Sequence, residues 1–225
     1  MDELYRRAAI KFLQLPLIVG VLVFMPAGTL WYSEAWLFTA VLVGCSLAIT
    51  AYLGIVDPKL LESRMNAGPG AEKEHSQKII IAFVLLCFAA LPVVSAFDHR
   101  FGWSHVPPYI VYLGNALIIL SYVGFYSVFR ENRYGAATIQ VAEGQRVITT
   151  GPYALVRHPM YSWALVMTAG IPLALGSLWG LLIVVPNVAA IVARLLDEEK
   201  FLAKNLSGYT EYMRSVRYRL VPLAW

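Results

Sequence analysis

The sequence predicts an all-α integral membrane protein, and three observations carry that reading. Apolar residues make up 59% of the 225-residue chain and charged residues only 14%, with a mean hydropathy of +0.62. A soluble domain needs about a quarter of its residues charged to cover its surface. The apolar residues also fall in long uncharged runs, and nearly all basic residues lie between alternate runs, as in a chain threaded through a bilayer.

The first four runs, 12–33, 35–56, 79–97 and 106–129, each suit one span, since about 20 residues cross the hydrocarbon core. The fifth, 159–193, has 35 residues. As one helix it would be about 50 Å long, against a core of about 30 Å. Gly176, Ser177 and Gly180 interrupt it, so a helical hairpin is expected, roughly 160–175 and 178–195. The predicted architecture is about six helical segments, four spans plus this C-terminal hairpin. With the N-terminus inside, 17 of the 18 Lys and Arg residues lie on the inner side and only Arg100 outside. A single long last span would place six of them outside, so the positive-inside rule favours the hairpin and puts both termini on the cytoplasmic face.

Arg6, Arg7 and Lys11 precede the first run, but no small-x-small cleavage pattern follows before the second. A retained first helix is therefore expected rather than a signal peptide. Residues 57–77, with Gly68-Pro69-Gly70 and mixed charge, read as a flexible cytoplasmic connector. A division near residue 105 separates N-terminal helices and their loop (1–105) from a core (106–225).

Several function classes are disfavoured. Cys45 and Cys87 lie in apolar runs, which excludes a disulfide scaffold. The net charge of +4 reports orientation in the membrane rather than affinity for nucleic acid. The interiors of the predicted spans carry no Asp, Glu, Lys, Arg or His, which weakens ion or proton-coupled transport. His75, His99, His105 and His158 are scattered and no His/Cys/carboxylate set has ligand spacing, so no metal is expected. No Gly-x-Gly-x-x-Gly motif occurs, and no predicted cytoplasmic segment exceeds 32 residues, which excludes a Rossmann domain.

The polar chemistry is concentrated in two segments, 130–158 and 194–225, which flank the hairpin. A hairpin returns its ends to one side of the membrane, so these segments should meet. In the first, Gly151-Pro152 marks a turn and Pro159 suits the first position of a helix. His158 would then sit at a helix entrance, a ready place for a carboxylate or phosphate. The bland reading is a basic pair, Arg157-His158, anchoring a span at the headgroups. In the second, Arg194 and Glu198 are four apart and share a helix face, within a run containing Asp197-Glu198-Glu199. The bland reading there is a solvated helix end. The segment from Gly208 to Pro222 mixes aromatic and charged residues, as an interfacial segment does.

The order of these elements resembles the isoprenylcysteine carboxyl methyltransferase family and, more loosely, the phospholipid N-methyltransferases. The resemblance runs from about 114 to 225. It rests on Gln145-Arg146-Val147-Ile148-Thr149-Thr150-Gly151-Pro152-Tyr153 and Arg157-His158-Pro159-Met160-Tyr161. It continues in Arg194-x-x-x-Glu198-Glu199-x-x-Leu202, Gly208-Tyr209-x-x-Tyr212 and Arg219-Leu220-Val221-Pro222. The resemblance implies S-adenosylmethionine as methyl donor, held by cytoplasmic loops and helix ends. Gln140, Gln145, Arg146, Val147, Ile148 and Tyr153 would line the adenosine pocket. His158, Pro159, Met160 and Tyr161 would close around the donor, and Glu198 would contact it. Arg194 would orient a lipophilic or lipidated acceptor, most simply a prenylcysteine-like carboxylate. This chain carries Gln145 where the animal enzymes have histidine.

Membrane sterol reductases also carry an Arg-His-x-x-Tyr element and bind a nicotinamide cofactor, so a lipid reductase is the alternative enzyme. Tyr161-Ser162-Trp163 lacks the acidic residue those reductases place after the tyrosine. A non-enzymatic lipid carrier would explain the spans but not the polar cluster.

Overall fold

The computed structural model describes residues 2–72, 74–135, 138–139, 141 and 144–225, and among them it is all helix and turn, with no strand. The chain forms α1 (Asp2–Ala27), α2 (Ser33–Val56), α3 (Pro58–Met65), α4 (His75–Phe101) and α5 (Pro108–Glu131). Then come α6 (Pro159–Ala174), α7 (Leu181–Asn205) and α8 (Tyr209–Ser215), with short 3-10 turns at Pro69–Ala71 and Gly151–Ala154. Helices α1, α2, α4 and α5 are long and apolar enough to cross a bilayer, matching the four predicted spans. Only 11–33% of their most apolar windows is buried, so leucines such as Leu13, Leu17 and Leu86 face outward, as lipid contact requires. The chain is an all-α integral membrane protein.

The hairpin also forms. Its first arm, α6, ends at Ala174, Gly176 takes φ +67 in the turn, and α7 begins at Leu181. The second arm runs ten residues past the expected Leu195, to Asn205, which carries Asp197, Glu198 and Glu199 on a continuous helix. Small residues let α6 lie close on α5. A Cβ added at Gly114 would stand 2.1 Å from the backbone nitrogen of Ala174, and one at Gly124 would stand 2.1 Å from the Trp163 ring. Without a hydrophobic drive between helices in lipid, such close approach supplies the attraction.

Contacts sort the helix ends into two groups. At one end Arg7 meets Glu62 (3.1 Å), Lys11 donates to the Met65 carbonyl, and Arg64 donates to the Gly135 carbonyl (3.2 Å). At the other end Arg100 reaches the Pro26 carbonyl, and Asp98 is buried at the end of α4. Its carboxylate accepts from Ser104 N (2.6 Å), Ser104 Oγ (2.7 Å) and Ser177 Oγ (2.6 Å), joining the α4–α5 loop to the hairpin turn.

One expectation needs correcting. Residues 57–77 are not a featureless connector. Asp57 Oδ1 caps α3 by accepting from Leu60 N (3.1 Å), and Pro58 occupies its first turn. Leu60 and Leu61 are buried against Leu53, Val128 and Phe129. Glu72 and Gln77 are also buried, at 4% and 2% exposure. The segment packs behind the site described next, with Arg64 donating to the Gly135 carbonyl and Glu72 accepting from the Ile139 N–H.

Candidate functional site

The two polar segments meet. The backbone N–H groups of Arg157 and His158 donate to the carbonyls of Tyr218 and Arg219, both at 2.9 Å. Ser162 Oγ donates to the Leu220 carbonyl (2.6 Å), and the Tyr212 hydroxyl donates to the Tyr153 carbonyl (2.7 Å). Leu206, Tyr209 and Tyr212 form a small core against Val141, Val147, Tyr153 and Leu202. The loop before α6 is thus held on the end of α7 and on α8.

The three consecutive carboxylates of α7 diverge, because neighbours on a helix point about 100° apart. Asp197 accepts from the Gln77 side-chain amide. Glu198 Oε2 accepts from the Tyr161 hydroxyl at 2.6 Å. Glu199 Oε1 accepts from Arg157 Nε (2.7 Å) and lies 3.2 Å from His158 Nε2, while its Oε2 accepts from Arg219 Nε (3.0 Å). Burial alone would raise the Glu199 pKa, but hydrogen bonds from His158, Arg157 and Arg219 outweigh it and bring it down to about 2. Burial pushes the Tyr153 phenol up to about 12, against the hydrogen bond from Asn132 Nδ2 (2.8 Å), so it stays neutral.

Between these elements lies an open cavity, with about 840 Å³ of unfilled space when the solvent at its mouth is included. Gln145, Arg146, Val147, Ile148, Tyr153, His158, Pro159, Met160, Tyr161 and Glu198 all line it. Gln140, the remaining expected pocket residue, lies outside the described residues. His158 is the N-cap of α6 and Pro159 its first residue, so a helix N-terminus with its partial positive charge borders the cavity. Arg157, Leu202, Tyr209 and Tyr212 also line it. Tyr209 is buried, and its hydroxyl has no hydrogen-bond partner among the described residues. A buried hydroxyl is rarely left so in a finished structure.

Arg194 does not line the cavity. It is 4% exposed and its guanidinium is committed: Nη2 to Glu72 Oε1 (2.7 Å), Nη1 to Gln77 Oε1 (2.8 Å), and Nε to the Tyr161 hydroxyl (3.0 Å). Among the described contacts it reaches Glu198 through Tyr161. Sequence reasoning missed Glu72, Gln77, Arg64 and the clamp role of Glu199. Asp57-Pro58 followed by Leu60-Leu61 was a usable signal for α3, whereas no local pattern marks Glu72 for burial.

Residues 109–208, a little under half the chain, match the family model for phospholipid methyltransferase. That match supports a membrane methyltransferase. A Delta(14)-sterol reductase of Mus musculus (TM7SF2) is 27% identical over 154 residues. The matched segment covers 61% of this chain and 37% of that relative, so the chain corresponds to only part of the reductase's length.

Proposed function

We propose that the chain transfers a methyl group from S-adenosylmethionine to a lipophilic acceptor at the membrane surface. One observation carries the reading: ten residues expected at a methyl-donor site from sequence line a single cavity, within or beside the segment that matches the methyltransferase model. The donor has a sulfonium cation, a zwitterionic amino-acid end and an adenosine. Glu198 suits a cationic part, the α6 N-terminus suits a carboxylate, and the rings of Tyr153, Tyr161, Tyr209 and Tyr212 give apolar surface. The Tyr209 hydroxyl, without a partner among the described residues, offers a further hydrogen bond to a bound group.

When bound, S-adenosylmethionine supplies an activated methyl group, and the protein's task is positioning and exclusion of water. Glu199 fixes the start of α6 to α7 through Arg157 and His158. The Tyr212–Tyr153 bond holds the loop 144–153 against α8. The acceptor is a lipid whose reactive head reaches this cavity. A carboxylate head, as in a prenylcysteine-like or other lipidic acid, is already nucleophilic at neutral pH and needs no base. Arg194 serves it through Tyr161 rather than by direct grip. The basic residues concentrated at this end of the bundle support a site at the cytoplasmic leaflet. The test is a screen with labelled S-adenosylmethionine against lipid acids, amines and thiols. Transfer to the acid supports the full proposal, transfer only to an amine or thiol replaces its acceptor, and no transfer to any overturns it.

The sterol reductase similarity favours one second reading, a lipid reductase that takes hydride from NADPH. Saturable NADPH binding with no binding of S-adenosylmethionine would establish it instead.

A further inference from the structure

We propose that Glu72 is a positioning residue for the cavity: it holds Arg194 away from Glu198 and so keeps that carboxylate available to a cationic ligand group. The cationic group is the donor's sulfonium or amine only if the methyltransferase reading holds. Glu72 follows the turn Pro69–Ala71 and stands outside the segment matched by the family model. It is 4% exposed. Its Oε1 takes the Arg194 Nη2 hydrogen bond at 2.7 Å, and its Oε2 accepts from the backbone N–H of Ile139 at 3.3 Å. Ile139 lines the cavity. One carboxylate therefore touches the cavity wall directly and reaches Glu198 through Arg194 and Tyr161.

Geometry gives the reason. Arg194 and Glu198 are four apart on α7, the spacing at which a helical Arg and Glu pair across one turn. They do not pair directly among the described contacts. Glu72 and Gln77 draw the planar fork of Arg194 toward α4, leaving Nε to steady the Tyr161 hydroxyl, which donates to Glu198. Without the Glu72 charge, the i,i+4 partner becomes the nearest carboxylate open to the guanidinium. Glu198 would then be neutralised by its own helix.

The test is Glu72→Gln in the full chain, with Glu72→Gln/Arg194→Met as its suppressor. S-adenosylmethionine binding is read by calorimetry, and Tyr161 by the NMR signal of ring-labelled tyrosine, assigned through Tyr161→Phe. E72Q is expected to weaken donor binding about tenfold while kcat at saturating donor stays within about threefold, as loss of a charge-assisted contact predicts. Its Tyr161 signal shifts even without ligand, and the double variant recovers most of the lost affinity because the competing cation is gone. A merely structural role would make the double variant bind more weakly than E72Q, and that result overturns the proposal. So does an unmoved Tyr161 signal. If the wild-type protein binds no S-adenosylmethionine, the functional reading fails by itself, and the ligand-free Tyr161 signal still decides the role of Glu72.

Discussion

Replacing Glu199 with alanine removes the carboxylate that Arg157, His158 and Arg219 share, from a side chain 8% exposed. Breaking a buried ion pair from one side costs about 3–5 kcal/mol, because the partner charge is left uncompensated. An independent route gives a similar figure. Lowering the pKa from 4.5 to about 2 couples about 3 kcal/mol to the folded arrangement. For a chain of this size that is a fall in Tm of roughly 10 °C. The sign with pH follows from a depressed folded-state pKa. The contribution is fully present above about pH 4.5 and is lost as pH falls toward about 2. Thermal unfolding in detergent, followed by circular dichroism, checks both parts. Glu199→Gln should be less stable than wild type at neutral pH, and the gap should close between about pH 4.5 and 2. A gap that does not change over that window, or a Glu199→Ala Tm within about 2 °C of wild type, would refute the reasoning.

Three further outcomes are expected. Tyr209→Phe deletes a hydroxyl with no partner among the described residues, so Tm should hold or rise slightly while donor affinity falls severalfold; unchanged calorimetric affinity would remove the hydroxyl from the site. Gly114→Ala drives a methyl into the Ala174 backbone, which cannot swing aside, and should cost about 1–3 kcal/mol or more in denaturant unfolding; a neutral result would mean that α5 and α6 separate freely. Asp98→Ala strands the Ser104 and Ser177 donors at the far end of the bundle and should lower stability by about 2–4 kcal/mol, with kcat per folded molecule unchanged in steady-state kinetics.

The spans were legible because lipid demands uncharged runs of set length, and that demand is local in sequence. The hairpin was legible for a similar reason, since 35 apolar residues overfill one crossing and Gly176 and Gly180 allow the turn. The meeting of the two polar segments followed from topology alone. What stayed hidden depends on rotation and on distant partners. Arg194 and Glu198 do share a face, but the partner that claims Arg194 is Glu72, 122 residues away. Asp197, Glu198 and Glu199 look alike in sequence, and only the angle of α7 sends them to Gln77, Tyr161 and the Arg157–His158–Arg219 group. Residues 57–77 read as a connector because mixed charge normally signals solvent. Here two of its polar residues, Glu72 and Gln77, are buried by pairing with a guanidinium.

The central claim is that the cavity between α6, α7 and α8 holds a methyl donor. Calorimetry of the purified protein with S-adenosylmethionine tests it most directly, run beside NADPH and beside the Glu198→Ala and His158→Ala variants. Saturable one-to-one binding of S-adenosylmethionine, lost in both variants, and no binding of NADPH are expected. Binding of NADPH alone, or S-adenosylmethionine binding untouched by either substitution, would contradict it.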